Sequence, residues 1–320
     1  VSEAPGEVRL GVIGVGGMGQ HHARVGANVP GARLAGLYDV DPERAREVAT
    51  RHGTRAFARL RDLLPEVDAV CVAVPTVDHL RVVRAVLEAG KDVLVEKPMA
   101  ASLGEADEMI ALAEAKGALL QVGHVERFNP AVDVLRTVSG ARFIEVHRLG
   151  SFSPRSLDID VVLDLMIHDL DIVLSLDGTE AVQVDAVGVP VLTPRVDIAN
   201  ARLRFASGLI ANLTASRVST DRVRKFRIFA PRTYVSADLA AREVRVHRLG
   251  GVGSDGWPAI RIERTEAPPV PQSEPLWRQV QAFVQAIRGR TRPVVGGADG
   301  RRALALAGEI LTRIGGKEPS

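Results

Sequence analysis

Cysteine is nearly absent: Cys71 is the only one in 320 residues. A single cysteine forms no intrachain disulfide and no thiolate metal site, and in the apolar run AVCVAV it behaves as a small buried hydrophobe. A surplus of one charge is also missing. Lys and Arg total 41 and Asp and Glu 39, with no long basic run, which argues against nucleic acid as the partner. No apolar stretch reaches membrane-spanning length without charges. The opening VSEAPGEVRLGVIG lacks the basic-then-apolar order of a secretory signal. These absences set the expectation of a reducing, cytoplasmic setting with no membrane partner. Neither His-Glu-x-x-His nor a Cys/His metal spacing occurs, so no metal is expected, and without Gly-x-Ser-x-Gly no serine nucleophile is expected. Internal repeats and low-complexity segments are missing too.

What is present divides into two patterns. Up to Gly123 strands and helices alternate. Apolar strands are expected at Arg9–Ile13, Arg33–Tyr38, Ala69–Val74, Asp92–Val95 and Ala118–Val122. The helices between them carry recognisable ends: Asp41 as N-cap with Pro42 behind it, the box Ser102-Leu-Gly-Glu105, and Gly90 and Gly117 as stops. Repeated units of this size imply an α/β fold with a doubly wound parallel sheet. From Ala141 strands dominate: Phe143–Arg148, Val182–Val189, Ala199–Phe205, Leu209–Ala215, Lys225–Phe229, Val244–His247 and Ile260–Glu263. Hairpin-like connections there predict an α+β domain on an open, mostly antiparallel sheet. Two amphipathic helices, Ser273–Arg288 and Asp299–Ile314, close the chain. The expected division is 1–123 for a nucleotide-binding domain and 124–320 for a substrate-binding and oligomerisation domain. An open sheet has two faces, and strands such as Leu209–Ala215 look apolar for solvent, so a homodimer or homotetramer is expected.

The first candidate site is Gly14-Val-Gly16-Gly17-Met18-Gly19, between a strand and a helix, with Asp39 ending the next strand. Glycines there permit a tight turn and a close approach of backbone N–H groups to a pyrophosphate at the helix N-terminus. A carboxylate in the place of Asp39 accepts bonds from the ribose hydroxyls and repels a 2′-phosphate, so NAD is expected in preference to NADP. Glu96-Lys97-Pro98 follows a parallel strand, where ligands of such sheets bind. Lys97 is thereby aimed at a cleft, where an ammonium stabilises a developing alkoxide. Pro75, Thr76 and His79 occupy the equivalent place after the preceding strand, with a helix-face role for His79 equally open. His21 and His22 read as surface residues. In Gly123–Pro130, Arg127 is a candidate ligand contact and Asn129 a helix cap.

The stretch Val161–Leu176 is dense in apolar residues, yet Asp164, His168, Asp171 and Ser175 recur at helical spacing. A mostly buried helix with one polar stripe is either a satisfied Asp–His pair or an acid/base pair at a cleft. Asp171 and Ser175 read as structural.

With the glycine turn, Asp39, Glu96-Lys97-Pro98 and the Asp164/His168 pair in place, the chain resembles the Gfo/Idh/MocA family. That resemblance spans nearly the whole chain and implies a Rossmann domain followed by an α/β domain. It implies an NAD-dependent sugar or cyclitol dehydrogenase in which Lys97, Asp164 and His168 are the catalytic positions. GHVERFNPAV at 123–132 and PRSLDIDVVLDLMIHDLDIVLSL at 154–176 are similar to the branch that oxidises C3 of UDP-N-acetylglucosamine on the way to lipid A 3-amino sugars. Dehydrogenases of UDP-N-acetylglucosaminuronate, inositol or a free aldose are the alternatives, with a non-catalytic NAD sensor as a third class. A nucleotide-sugar diphosphate needs cations, and Arg127, Arg148 and Arg155 are the candidates.

Overall fold

A computed structural model of the chain describes residues 6–152, 159–252 and 258–315. Five strands near the N-terminus are β1 (Val8–Ile13), β2 (Ala32–Tyr38), β3 (Ala69–Val72), β4 (Asp92–Glu96) and β5 (Leu120–Gly123). They form one parallel sheet in the order β2-β1-β3-β4-β5. Every residue of β3 and β4 is buried. Successive side chains of a strand point to opposite faces, so such burial requires cover on both sides. The cover includes α1 (Gly17–Gly26), α2 (Pro42–Arg51), α3 (Leu60–Leu63), α4 (His79–Glu88) and α5 (Leu103–Lys116). Their ends follow the sequence signals. The Asp41 carboxylate accepts from the N–H groups of Glu43 and Arg44, the Ser102 hydroxyl accepts from Glu105, and Gly117 closes α5 at φ +62°. The strand order reverses between β1 and β3, the place where such sheets leave a crevice at the strands' carboxyl ends.

After α6 (Pro130–Leu135) comes a second sheet of eight strands. They are β6 (Phe143–Leu149), β7 (Ala181–Val189), β8 (Ile198–Phe205), β9 (Ile210–Ser216), β10 (Val223–Ala230), β11 (Thr233–Asp238), β12 (Glu243–Val252) and β13 (Pro258–Glu266). Their order is β13-β12-β11-β10-β6-β9-β8-β7, with β6 and β9 parallel and all other neighbours antiparallel. The strand that sequence reading missed is β11. Its six residues, TYVSAD, carry only short alternation and sit directly behind the Pro231 turn. The expected single helix over Val161–Leu176 is a π-helical turn, Val162–Met166, running into α7 (Ile167–Asp177). A π turn bonds i to i+5 and so shifts the faces on either side of it. The turn lies against β9.

The chain then returns. It divides into two compact units, Val1–Val125 with Glu274–Leu304, and Glu126–Ser273 with Ala305–Ser320. The expected single run 124–320 is therefore interrupted. In α8 (Pro275–Gly289), Leu276, Val280, Phe283 and Val284 bury themselves among Leu10, Val25, Val29 and Leu37 of the first unit. Burial of each such side chain is worth roughly 1.5–3 kcal/mol. An amphipathic stripe states that a helix will bury one face, not which core receives it. The last helix, α9 (Gly297–Gly315), begins in the first unit and ends in the second.

Candidate active site

The first unit presents its candidate residues along the carboxyl ends of β1 to β4. Gly14 has φ +80°, and a Cβ there would stand 2.8 Å from the Ala73 carbonyl oxygen. A Cβ on Gly19 would come within 1.8 Å of the Gly14 carbonyl oxygen, so helix and turn close only with glycine. Gly16 and Gly17 differ: a Cβ on either would meet nothing within 4 Å. The space before the N-terminus of α1 is thus open, and Met18 is exposed beside it. Asp39 ties the turn to the end of β2. Its carboxylate accepts from the Val15 N–H at 2.7 Å, the Asp41 N–H at 2.9 Å and Arg44 Nη2 at 2.9 Å. Burial pushes this carboxyl up, but Arg44 and the two N–H donors outweigh burial and hold it below its ordinary range. An ionised Asp39 beside an open glycine turn fits a dinucleotide, with its pyrophosphate on the backbone N–H groups of the turn.

Pro75 and Thr76 follow β3, Pro75 exposed and Thr76 half-buried, and Lys97 follows β4, half-buried. The Lys97–Pro98 peptide is cis. Two residues expected at the cofactor are turned inward. His79 is fully buried, with Nδ1 3.0 Å from the Pro98 carbonyl oxygen and Nε2 3.0 Å from that of Val74. Its ring holds backbone rather than facing a ligand, and burial lowers its pKa. Glu96 is also buried. One carboxylate oxygen is 2.7 Å from His22 Nε2, and the other accepts the Lys97 N–H at 3.3 Å. His22, expected on the surface, is fully buried. The signal was in the sequence: Gly19, His22, Ala23 and Gly26 repeat at helical spacing, and all are buried.

In the second unit Asp164 lies in the π turn and His168 in the first turn of α7, both half-buried. Two buried ion pairs hold this helix. The Arg127 guanidinium grips the Asp171 carboxylate through Nε, at 2.7 Å, and Nη2. Arg148 grips Asp169 through Nε at 2.8 Å and Nη2 at 2.7 Å, and its Nη1 donates to Glu126 at 2.9 Å. Glu126 also accepts from Arg224 at 2.9 Å and from the Asn129 amide at 3.1 Å. Burial pushes Glu126 up, but Arg148 and Arg224 bring it below its usual range. Burial raises Asp169 despite Arg148. Arg127 and Arg148 are therefore structural, a correction of their expected place on a diphosphate. Both guanidiniums spend the Nε–Nη2 edge, which could grip a phosphate through two parallel bonds, on a buried carboxylate. Arg155 lies outside the described residues. Asp171 is structural as expected, Ser175 Oγ donates to the Ile172 carbonyl, and Asn129 caps α6 through the Ala131 N–H. Sequence reading missed Glu126 and Asp169, since nothing local marks which arginine each will meet.

Residues 8–124 match the oxidoreductase family with an NAD-binding Rossmann fold, and residues 132–235 match the GFO/IDH/MocA C-terminal domain. The chain is 40% identical over 309 residues to UDP-N-acetylglucosamine 3-dehydrogenase of Acidithiobacillus ferrooxidans, covering 96% of this chain and 97% of that one. A solved structure of that enzyme superposes with a TM-score of 0.89 at 38% identity, over 96% of this chain and 98% of that one. The scyllo-inositol 2-dehydrogenase (NAD(+)) of Bacillus subtilis is 31% identical over 90% of this chain and 89% of its own length.

Proposed function

Because this chain belongs to the Gfo/Idh/MocA family of oxidoreductases, we propose that it is an NAD-dependent dehydrogenase oxidising C3 of UDP-N-acetylglucosamine to the 3-keto sugar. The observation that carries the substrate is the 40% identity over 96% of the chain to an enzyme named for that reaction, against 31% for the inositol enzyme.

NAD, when bound over the open turn at Gly16 and Gly17, supplies the hydride acceptor. His168 takes the proton from the sugar hydroxyl as general base. The Lys97 ammonium stabilises the negative charge that develops on that oxygen. Asp164, four residues before His168, orients its imidazole. Pro75 and Thr76 border the nicotinamide side, and Arg155 remains the candidate cation for the diphosphate. The keto product suits transamination to a 3-amino sugar nucleotide for lipid A. A cytoplasmic location supplies the NAD, and among the described residues no helix is long and apolar enough to cross a membrane.

A homo-oligomer joined through the second sheet completes the proposal. The reason differs from the one expected. The outer positions of β8 and β9 are polar, with Asn200 donating to Thr214 and Arg202 to Asn212. Across β6, β10, β11 and β12, however, Phe143, Phe229, Tyr234 and His247 line up in a row with neighbouring ring centroids 5.0–5.8 Å apart, and Phe229 is exposed. A partly exposed aromatic row suits a partner better than water.

The test is an absorbance screen for NADH across UDP-sugars, inositols and aldoses, with sedimentation of the same preparation. UDP-N-acetylglucosamine is expected to turn over in an oligomer. Turnover of inositol alone would overturn the substrate, a stable monomer the assembly, and NAD binding without any turnover the enzymatic reading.

A further inference from the structure

Lys97 sits between two residues that are each tied to a buried histidine. Before it, Glu96 binds His22 Nε2 at 2.7 Å through one oxygen and the Lys97 N–H at 3.3 Å through the other. After it, the Pro98 carbonyl faces His79 Nδ1 at 3.0 Å, with that of Met99 at 3.3 Å. The opposite nitrogen of His79 faces the Val74 carbonyl at 3.0 Å, in the loop that carries Pro75 and Thr76. His22 stands on α1, whose first residues close the glycine turn. The two rings therefore join the dinucleotide helix, the loop after β3 and the loop after β4, and Lys97 is where the connections meet. Gly123 leaves room for this: a Cβ there would lie 3.1 Å from the Glu96 carboxylate.

Stability alone does not account for the His22–Glu96 pair. Taking an imidazolium and a carboxylate out of water is costly, and an apolar pair of similar volume is commonly as stable. What an apolar pair cannot do is accept the Lys97 N–H and bond α1 in the same group. An apolar ring in place of His79 would likewise donate to neither the Pro98 nor the Val74 carbonyl, whereas the imidazole N–H bonds one of them.

We propose that His22 and His79 are positioning residues, which fix Lys97 relative to the dinucleotide-binding turn so that its ammonium meets the reacting oxygen. This rests on the assignment of Lys97 to the reaction proposed above.

The test compares His22→Leu, His22→Gln, His79→Gln and the double variant His22→Leu/Glu96→Leu with the parent enzyme. Four quantities are read: the thermal midpoint, NAD affinity by calorimetry, kcat with UDP-N-acetylglucosamine, and the rate of Lys97 acylation by acetic anhydride, followed by peptide mass spectrometry. The double variant removes both charges together, so its thermal midpoint and NAD affinity are expected to stay near the parent's. Its kcat is expected to fall by about 10²-fold, the usual cost of misplacing a catalytic group by about 1 Å. Its Lys97 acylation rate is expected to depart from the parent's, because the loop no longer holds the ammonium in one place. His22→Gln keeps a donor for Glu96 and is expected to recover most of the kcat lost in His22→Leu. A double variant with parental kcat and parental Lys97 acylation would reduce the pair to packing and overturn the proposal. If that variant does not fold, His79→Gln and His22→Leu decide: parental kcat and acylation in both overturn it. Acylation needs no sugar, so it judges the positioning even where the substrate assignment fails.

Discussion

Behind Lys97 the first unit buries two histidines and one carboxylate, while around His168 the second buries Arg127 and Arg148 with Glu126, Asp169 and Asp171. Each set includes a carboxylate next in sequence to a group assigned to the chemistry, Glu96 before Lys97 and Asp169 after His168, yet the two sets hold it differently. The histidines of the first unit reach short distances, to a neighbouring carboxylate and to loop carbonyls. The arginines of the second unit join a connecting segment, a strand and a helix with two-pronged bonds. A lysine at a strand end needs its loop held, whereas a histidine on a helix needs the whole helix held. The choice also sets the response to pH, because an imidazole loses its proton in an accessible range and a guanidinium does not.

Four measurements bear on that contrast. The largest effect is expected in turnover. Lys97→Met and His168→Ala should each lower kcat by about 10²- to 10⁴-fold while NAD binding persists, because each removes a group acting on the reacting oxygen. Near-parental kcat in His168→Ala would strip the second unit of its proposed role.

Next in size is Arg148→Met, which leaves Glu126 and Asp169 buried without their shared cation. Urea unfolding should show a loss of about 3–5 kcal/mol. A loss under about 1 kcal/mol would mean that the arginine set does not hold the helix.

The third is the pH response of the two units. Glu96 is depressed: burial raises it, but His22 and Lys97 outweigh burial. Its contribution is present above its unfolded value and lost as pH falls. His22 runs the other way. Burial lowers it, but the Cys71 sulfur and the Glu96 carboxylate push it up to about 10 from 6.5. Its contribution is complete below about 6.5 and disappears as pH rises through about 10. Glu126, also depressed, loses its contribution only on the acid side. Raising the pH from 6.5 toward 10 should therefore lower the thermal midpoint of the first unit. Trp277, packed against that unit's core, reports it in a Trp257→Phe background. A flat midpoint across that range would erase the difference between histidine and arginine pairing. The smallest effect is Ser102→Ala, which removes one cap bond on α5 and should cost about 1 kcal/mol with kcat unchanged.

The two units also differ in how far they could be read in advance. In the first, position follows from order along the chain. Glycines after a strand, an acid at the end of the next strand and a lysine after a later one all take their places from sheet topology, so Gly14, Gly19, Asp39 and Lys97 were legible. His79 and Glu96 were misplaced because a residue beside a cleft can turn toward it or away, and local sequence does not state which. In the second unit Asp164 and His168 stood out by polarity in an apolar stretch. Arg127 and Arg148 misled because an arginine reads the same whether it meets a phosphate or a buried carboxylate. Its partner, Asp171 or Asp169, is 44 or 21 residues away.

By itself the sequence determined the parallel sheet, the glycine turn with Asp39, the lysine at the strand end and the polar residues of one apolar helix. These rest on spacing and short-range geometry, which travel with the chain. Tertiary structure decided which charges are consumed in holding the fold, where α8 is buried, that the helix of His168 opens with a π turn, and that His22 meets the carboxylate next to Lys97. Each of those depends on which surfaces meet across long stretches of chain, and burial fixes the partner of every charge it encloses.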